Sequence, residues 1–172
     1  IYWDVPKDMP GVGAHSRVLP AAPGKLLILK PDGATQVLVD GAAPTDASLH
    51  LIDVNGPNVS YDGKTIVFAG LPEGNYDGDP ARSTGAWRLF TIGADGAGLT
   101  QLTPNGGDAL DLSQFGEAAG GLGGFDDYDP VFLPDGRIAF SSTRFRLYGQ
   151  YSGARASNLY VMDADGSRIH RI

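Results

Sequence analysis

One phrase recurs along this chain: an apolar run, an Asp-Gly pair, then a more polar run. It reads KLLILKPDGATQVLV at 25–39, WRLFTIGADGAGLTQLT at 87–103 and NLYVMDADGSRIHRI at 158–172. A second phrase, GPNVSYDGKTIVFAG (56–70) and DPVFLPDGRIAFSS (129–142), precedes the last two copies. In it Pro57 and Pro130 each stand five residues before the Asp of the turn. A repeat of this kind buries its apolar faces by stacking unit on unit, which constrains the fold more than any single residue does. Each unit reads as four short strands, a to d. In the last unit, a lies near 129–133, b near 137–142, c near 158–163 and d near 168–172. Asp-Gly closes a–b and c–d as a short hairpin, with Gly33, Gly63, Gly96, Gly136 and Gly166 at the positive φ such turns need.

Strands b and c are apolar on both faces, as in Ile66-Val67-Phe68 and Leu159-Tyr160-Val161-Met162. A sheet wetted on one side alternates instead, so these strands require cover on both. Strand d is polar, as suits an outer edge. With 25 Gly and 12 Pro in 172 residues, the chain is punctuated too often for a helical protein. Small sheets stacked face to face about an axis satisfy the whole pattern. The predicted fold is all-β: a partial β-propeller with two complete four-stranded antiparallel blades and part of a third.

The run DPVFLPDGRIAFSSTR followed by NLYVMDADGS resembles the TolB-type propeller repeat, a WD40-like repeat also called PD40 after its Pro-Asp-Gly. The same copy looks like the propeller of hydrazine synthase alpha-subunit relatives, whose haem motifs are absent here, so the resemblance implies no redox role. Tyr61 departs from the motif's Pro in the earlier copy. The organisation reads as an N-terminal arm or degenerate strands (1–24), a partial blade (25–54), a blade (55–103), a long acidic Gly-rich loop (104–126) and a blade (127–172). Closed propellers have about four to eight blades, so the chain reads as a fragment of a larger propeller.

Strand parity sorts the connections. The Asp-Gly turns share one rim, and segments 40–54, 71–86, 104–127 and 143–157 share the other, which is the candidate functional face. There Arg144, Arg146 and Arg155 accompany Tyr148 and Tyr151, residue types that supply contact area and directed hydrogen bonds to a partner. The neighbouring acidic loop carries Asp108, Asp111, Asp126 and Asp127. Two readings stand: recognition of an anionic glycan or acidic peptide, or mutual pairing of the two loops. On the recognition reading, exchanging Arg144 and Arg146 for Ala leaves folding almost unchanged, because exposed ion pairs contribute little.

Asp126, Asp127 and Asp129 in FDDYD offer oxygen ligands for Ca²⁺, but their spacing matches no EF-hand loop, and capping of the turn into strand a is favoured. YDGDP (76–80) is a weaker candidate of the same kind. The three His residues, His15, His50 and His170, share no metal-binding spacing, and GLGG (121–124) lacks the context of a phosphate loop. No G-x-S-x-G is present. Trp3 and Trp87 read as core anchors. The net charge of −7 argues against nucleic-acid binding, no apolar stretch is long enough to span a membrane, and the absence of Cys removes disulfides and thiolate metal sites. The expected role is a non-catalytic scaffold or a protein- or glycan-binding module of a larger periplasmic or secreted bacterial protein. Its expected partners are a protein or the remaining blades. The alternative is the propeller portion of a secreted enzyme with its active site mainly elsewhere.

Overall fold

The computed structural model describes residues 23–75, 87–105, 124–145 and 156–172, and these are almost wholly β. Strands β1 (Lys25–Leu29) and β2 (Thr35–Asp40) form a two-stranded sheet, blade 1. Blade 2 is the meander β3 (Leu51–Val59), β4 (Thr65–Pro72), β5 (Arg88–Gly93) and β6 (Thr100–Gln101). Blade 3 is the meander β7 (Asp127–Phe132), β8 (Ile138–Ser142), β9 (Asn158–Met162) and β10 (His170–Arg171). Every pairing is antiparallel. Short 3₁₀ turns at Asp46–Ser48 and Glu73–Asn75 are the only helical elements among the described residues.

The blades stack through two cores, and β4 serves both. Ile66 and Phe68 join Leu26, Val39, Leu51, Phe90 and Ile92 between blades 1 and 2. Val67, Ala69 and Leu71 join Trp87, Leu89, Ile138, Phe140, Tyr160 and Met162 between blades 2 and 3. Alternate side chains of one strand thus enter opposite cores, which explains its apolar run. The repeat extends to ring packing: Phe68–Phe90 stack at 5.8 Å and Phe140–Tyr160 at 5.7 Å between centroids. The chain is therefore a partial β-propeller.

The five repeat turns are built alike. In each, the Gly amide donates to the carbonyl three residues earlier, as in Gly136 N to Leu133 O (2.9 Å) and Gly166 N to Asp163 O (2.9 Å). In each, the Asp Oδ1 accepts the amide two residues ahead: Ala34, Lys64, Ala97, Arg137 and Ser167. Gly33, Gly63, Gly96, Gly136 and Gly166 have φ between 73° and 89°. This is a type I turn closed by a left-handed Gly.

Two boundaries differ from the sequence reading. Blade 2 begins at Leu51 rather than 55, because Leu51 and Ile52 pack into the cores and Thr45–Ser48 form a capped 3₁₀ turn before them. The outer strands β6 and β10 have only two residues each; Arg168, at φ 54°, delays β10. The arm at 1–22 and most of the acidic loop lie outside the described residues.

Candidate functional site

The ends of the blades opposite the Asp-Gly turns are tied together by buried polar groups. An Asp stands four residues before Pro57 and before Pro130: Asp53 and Asp126. Asp126 Oδ1 accepts the amide of Trp87, where β5 begins in the neighbouring blade (3.2 Å). Asp53 Oδ1 accepts the amide of Gly24, where β1 begins (2.7 Å), and also that of Val54 (2.8 Å). The same clasp therefore crosses both blade junctions. Burial pushes the Asp53 carboxyl above its ordinary value of 3.8, and the two amides only partly oppose this. Thr143 extends the second clasp, with its Oγ1 accepting the Asp126 amide (3.0 Å) and its amide donating to Asp126 O (3.0 Å).

Two arginines fill the space behind. Arg88 is fully buried and spends its guanidinium on main-chain carbonyls: Trp87 (2.6 Å), Phe125 (2.8 Å), Asn105 (2.8 Å) and Pro104 (3.1 Å). Burial draws its pKa down, and Asp127 and Asp126 nearby act to raise it. Arg144, whose side chain is 7% exposed, holds both oxygens of buried Asp127 (2.9 and 2.8 Å). Ser142 donates to the same carboxylate (2.6 Å). The Phe125 ring lies 4.4 Å from the Arg88 guanidinium carbon and 4.7 Å from that of Arg144, and Tyr160 lies 5.4 Å from the latter. Fork-like pairing and ring contact are what Arg offers and Lys does not. The cluster fixes the bases of three long connections: Arg88 closes 73–87, Pro104 to Asp127 bound the acidic loop, and Arg144 opens 143–157.

Several expectations change here. Arg144 does not project from the rim as a partner contact. It turns inward because a buried carboxylate and aromatic rings receive it. Asp126 and Asp127 are likewise interior, and Asp126 caps a strand of the neighbouring blade. Asp129 stands apart, exposed, at φ 51° beside Gly56. No group of three or more His, Cys, Asp or Glu is placed to hold a metal ion among the described residues. Arg146, Tyr148, Tyr151, Arg155, Asp108, Asp111, His15, Trp3 and YDGDP lie outside those residues. Trp87 is a core residue, and His50 and His170 are exposed and separate, with His50 beside Asp46 (2.7 Å).

No protein-family model matches this chain, and no curated protein matches it. Among solved structures it is similar to TolB of Agrobacterium tumefaciens, at 17% identity and a TM-score of 0.46, over 81% of this chain and 36% of that one. It is similar to TolB of Acinetobacter baumannii at 15% identity and a TM-score of 0.44, over 82% of this chain and 24% of that one. It is also similar to hydrazine synthase of Kuenenia stuttgartiensis at 17% identity and a TM-score of 0.46, over 77% of this chain and 16% of that one. The chain thus spans little more than a third, or less, of the proteins it is similar to.

Asp53, Arg88 and Thr103 were not singled out by sequence reasoning. Thr103 is fully buried and accepts the Leu89 amide (2.9 Å). Two signals were available: the shared Asp four residues before each Pro, and an Arg inside the apolar phrase WRLF.

Proposed function

We propose that this chain is a β-propeller segment that acts as a scaffold, presenting the long connections of one rim to a protein partner in a periplasmic or extracellular assembly of a larger bacterial protein. The observation that supports this reading is the buried clasp of Asp126, Asp127, Arg88 and Arg144 at the bases of those connections. A fixed base lowers the ordering cost that a loop pays when it binds. Tyr148, Tyr151, Arg146 and Arg155 belong to the connection that Arg144 opens, and Tyr and Arg dominate binding hot spots. No helix among the described residues is long and apolar enough to cross a membrane.

Photo-crosslinking from both rims tests the proposal. A crosslinking residue at Tyr148 should capture a discrete protein in the source cell, whereas one at exposed Tyr61, on the turn rim, should not. Changing Arg146, Tyr148, Tyr151 and Arg155 to Ala should then abolish binding of that protein and leave the thermal midpoint unchanged. Equal capture from both rims, or binding that survives the fourfold change, overturns the proposal.

A further inference from the structure

Two Asn-Gly pairs stand in this sequence, Asn55–Gly56 and Asn105–Gly106. Their Asn side chains are held in opposite ways. Asn105 Oδ1 accepts from Gln101 Nε2 (2.9 Å) and from Asn75 Nδ2 (3.0 Å), and Arg88 holds its main-chain carbonyl (2.8 Å). Asn55 is exposed, and its Oδ1 accepts the amide of Gly56, the next residue (2.8 Å). Gly56 and Pro57 have no partner in the β3–β4 register, which shifts between Asn55 and Asn58. Such a bulge frees its extra residue from the ladder. Gly56 sits at φ 57° and carries no Cβ to shield its nitrogen. A C=O bond is about 1.23 Å long, so the side-chain carbonyl carbon of Asn55 lies within about 4 Å of that nitrogen. Intramolecular attack sets out from about 3–3.5 Å, and a small torsion of one exposed side chain covers the difference.

We propose that Asn55 is a modification site, at which the Gly56 nitrogen closes a succinimide ring on the Asn55 side chain and water opens it to aspartyl and isoaspartyl forms. Base removes the Gly56 amide proton, the N–Cγ bond forms, and the Cγ–Nδ2 bond breaks as ammonia leaves with the proton. Nothing is oxidised or reduced. Water, the only co-reactant, then adds to either ring carbonyl. Opening at the side-chain carbonyl leaves an aspartyl residue on the original main chain. Opening at the main-chain carbonyl leaves an isoaspartyl link, which routes the main chain through the side chain and lengthens it by one carbon. Either product adds a negative charge at position 55. A Cβ on Gly56 would stand 3.4 Å from Asp129 Oδ1, so the new carboxylate arises one residue from an existing one on β7. Like charges at this range repel. The isoaspartyl link also lengthens β3 between Asp53, which clasps Gly24, and Asn58, which accepts the Phe132 amide (2.9 Å). The modification therefore loosens the contact of β3 with β7, where blades 2 and 3 meet. The reacting atoms all belong to β3, so the reaction needs no other chain and no further blade, and it is separate from the proposed scaffold role.

Peptide mapping by mass spectrometry, after storage of the folded protein at mildly alkaline pH, tests this. The peptide with Asn55 should gain the mass difference between OH and NH₂ and split into two chromatographic forms, on the order of tenfold faster than the peptide with Asn105 changes. In urea both Asn-Gly pairs are released from their surroundings, and the two rates should converge. Asn55→Gln should abolish the change, because the longer side chain does not close the same ring. Asn55→Asp should lower the urea midpoint of unfolding, and high salt should narrow the gap by screening the new charge from Asp129. Asn105 reacting as fast as Asn55 in the folded protein, a rate ratio that persists in urea, or an Asn55→Asp variant with the wild-type midpoint overturns the proposal.

Discussion

The two rims of this molecule are held by different means. On the turn rim the repeated fastenings are local: an Asp accepts an amide two residues away, and a Gly closes onto a carbonyl three residues back, while Phe132 N donating to Asn58 Oδ1 (2.9 Å) is a distant addition. Its ion pairs, among them Arg137 with Asp135 at 2.7 Å, join close neighbours in sequence. On the loop rim the fastenings that join blades 2 and 3 are distant in sequence and buried. Asp126 reaches Trp87, Arg88 reaches Phe125, and Arg144 holds Asp127 with almost no water near. Local fastenings repeat because the sequence repeats. Of the distant ones the Asp clasp recurs at both junctions, while the Arg88 and Arg144 contacts mark the junction of blades 2 and 3.

The largest test of this contrast is Arg144→Ala. It strands the Asp127 carboxylate in the interior and should cost about 3–5 kcal/mol in urea unfolding. This replaces the sequence-based expectation of a nearly silent change. A midpoint that stays in place would mean the pair is solvated and the rims are not different in kind.

Next come two glycines that share a turn type but not a setting. Gly136 has open space around its missing Cβ, so Gly136→Val meets only backbone strain, about 1–2 kcal/mol. A Cβ on Gly166 would stand 2.5 Å from the Leu102 carbonyl oxygen of blade 2. Gly166→Val should therefore cost more, about 3 kcal/mol in all. Equal losses would show that the turn does not touch its neighbour blade.

Asp53 refines the comparison further. Asp53→Ala leaves two amides without their acceptor and should cost about 1–3 kcal/mol, whereas Asp53→Asn keeps the accepting oxygen and should cost less. Because the folded pKa is raised, the folded state holds the proton more tightly than the unfolded chain. The associated stability is full below pH 3.8 and is lost as pH rises through the folded value. Stability curves of wild type and Asp53→Asn should therefore converge in acid and separate across that window. Parallel curves would contradict the burial argument. The smallest effect belongs to Arg137→Ala, which removes an exposed pair and should leave the urea midpoint within experimental error.

Legibility in the sequence follows the same division. The five turns, the strand order and the double-faced β4 are written in contiguous residues, so pattern reasoning reaches them. The fate of Arg144 is not, because its partners Asp127, Phe125 and Tyr160 come from separate elements. An Arg beside tyrosines looks the same on paper whether it greets a partner or locks a junction. The Asp53 clasp lay between these cases. Its spacing from Pro57 repeats in Asp126 and Pro130, yet nothing in that spacing names the amide across the blade junction.

The position of β4 also bears on how the molecule comes apart. Its odd and even side chains belong to different cores, so it cannot leave one without opening the other. Blade 1, which has two strands among the described residues and shares one of the two cores, can open more readily. In native-state amide exchange, Val67 and Phe68 should therefore exchange only through global unfolding, and β1 and β2 through a cheaper local opening. The stack then behaves as a short chain of coupled units whose cooperativity passes through the strands of blade 2 that serve both cores, β3, β4 and β5.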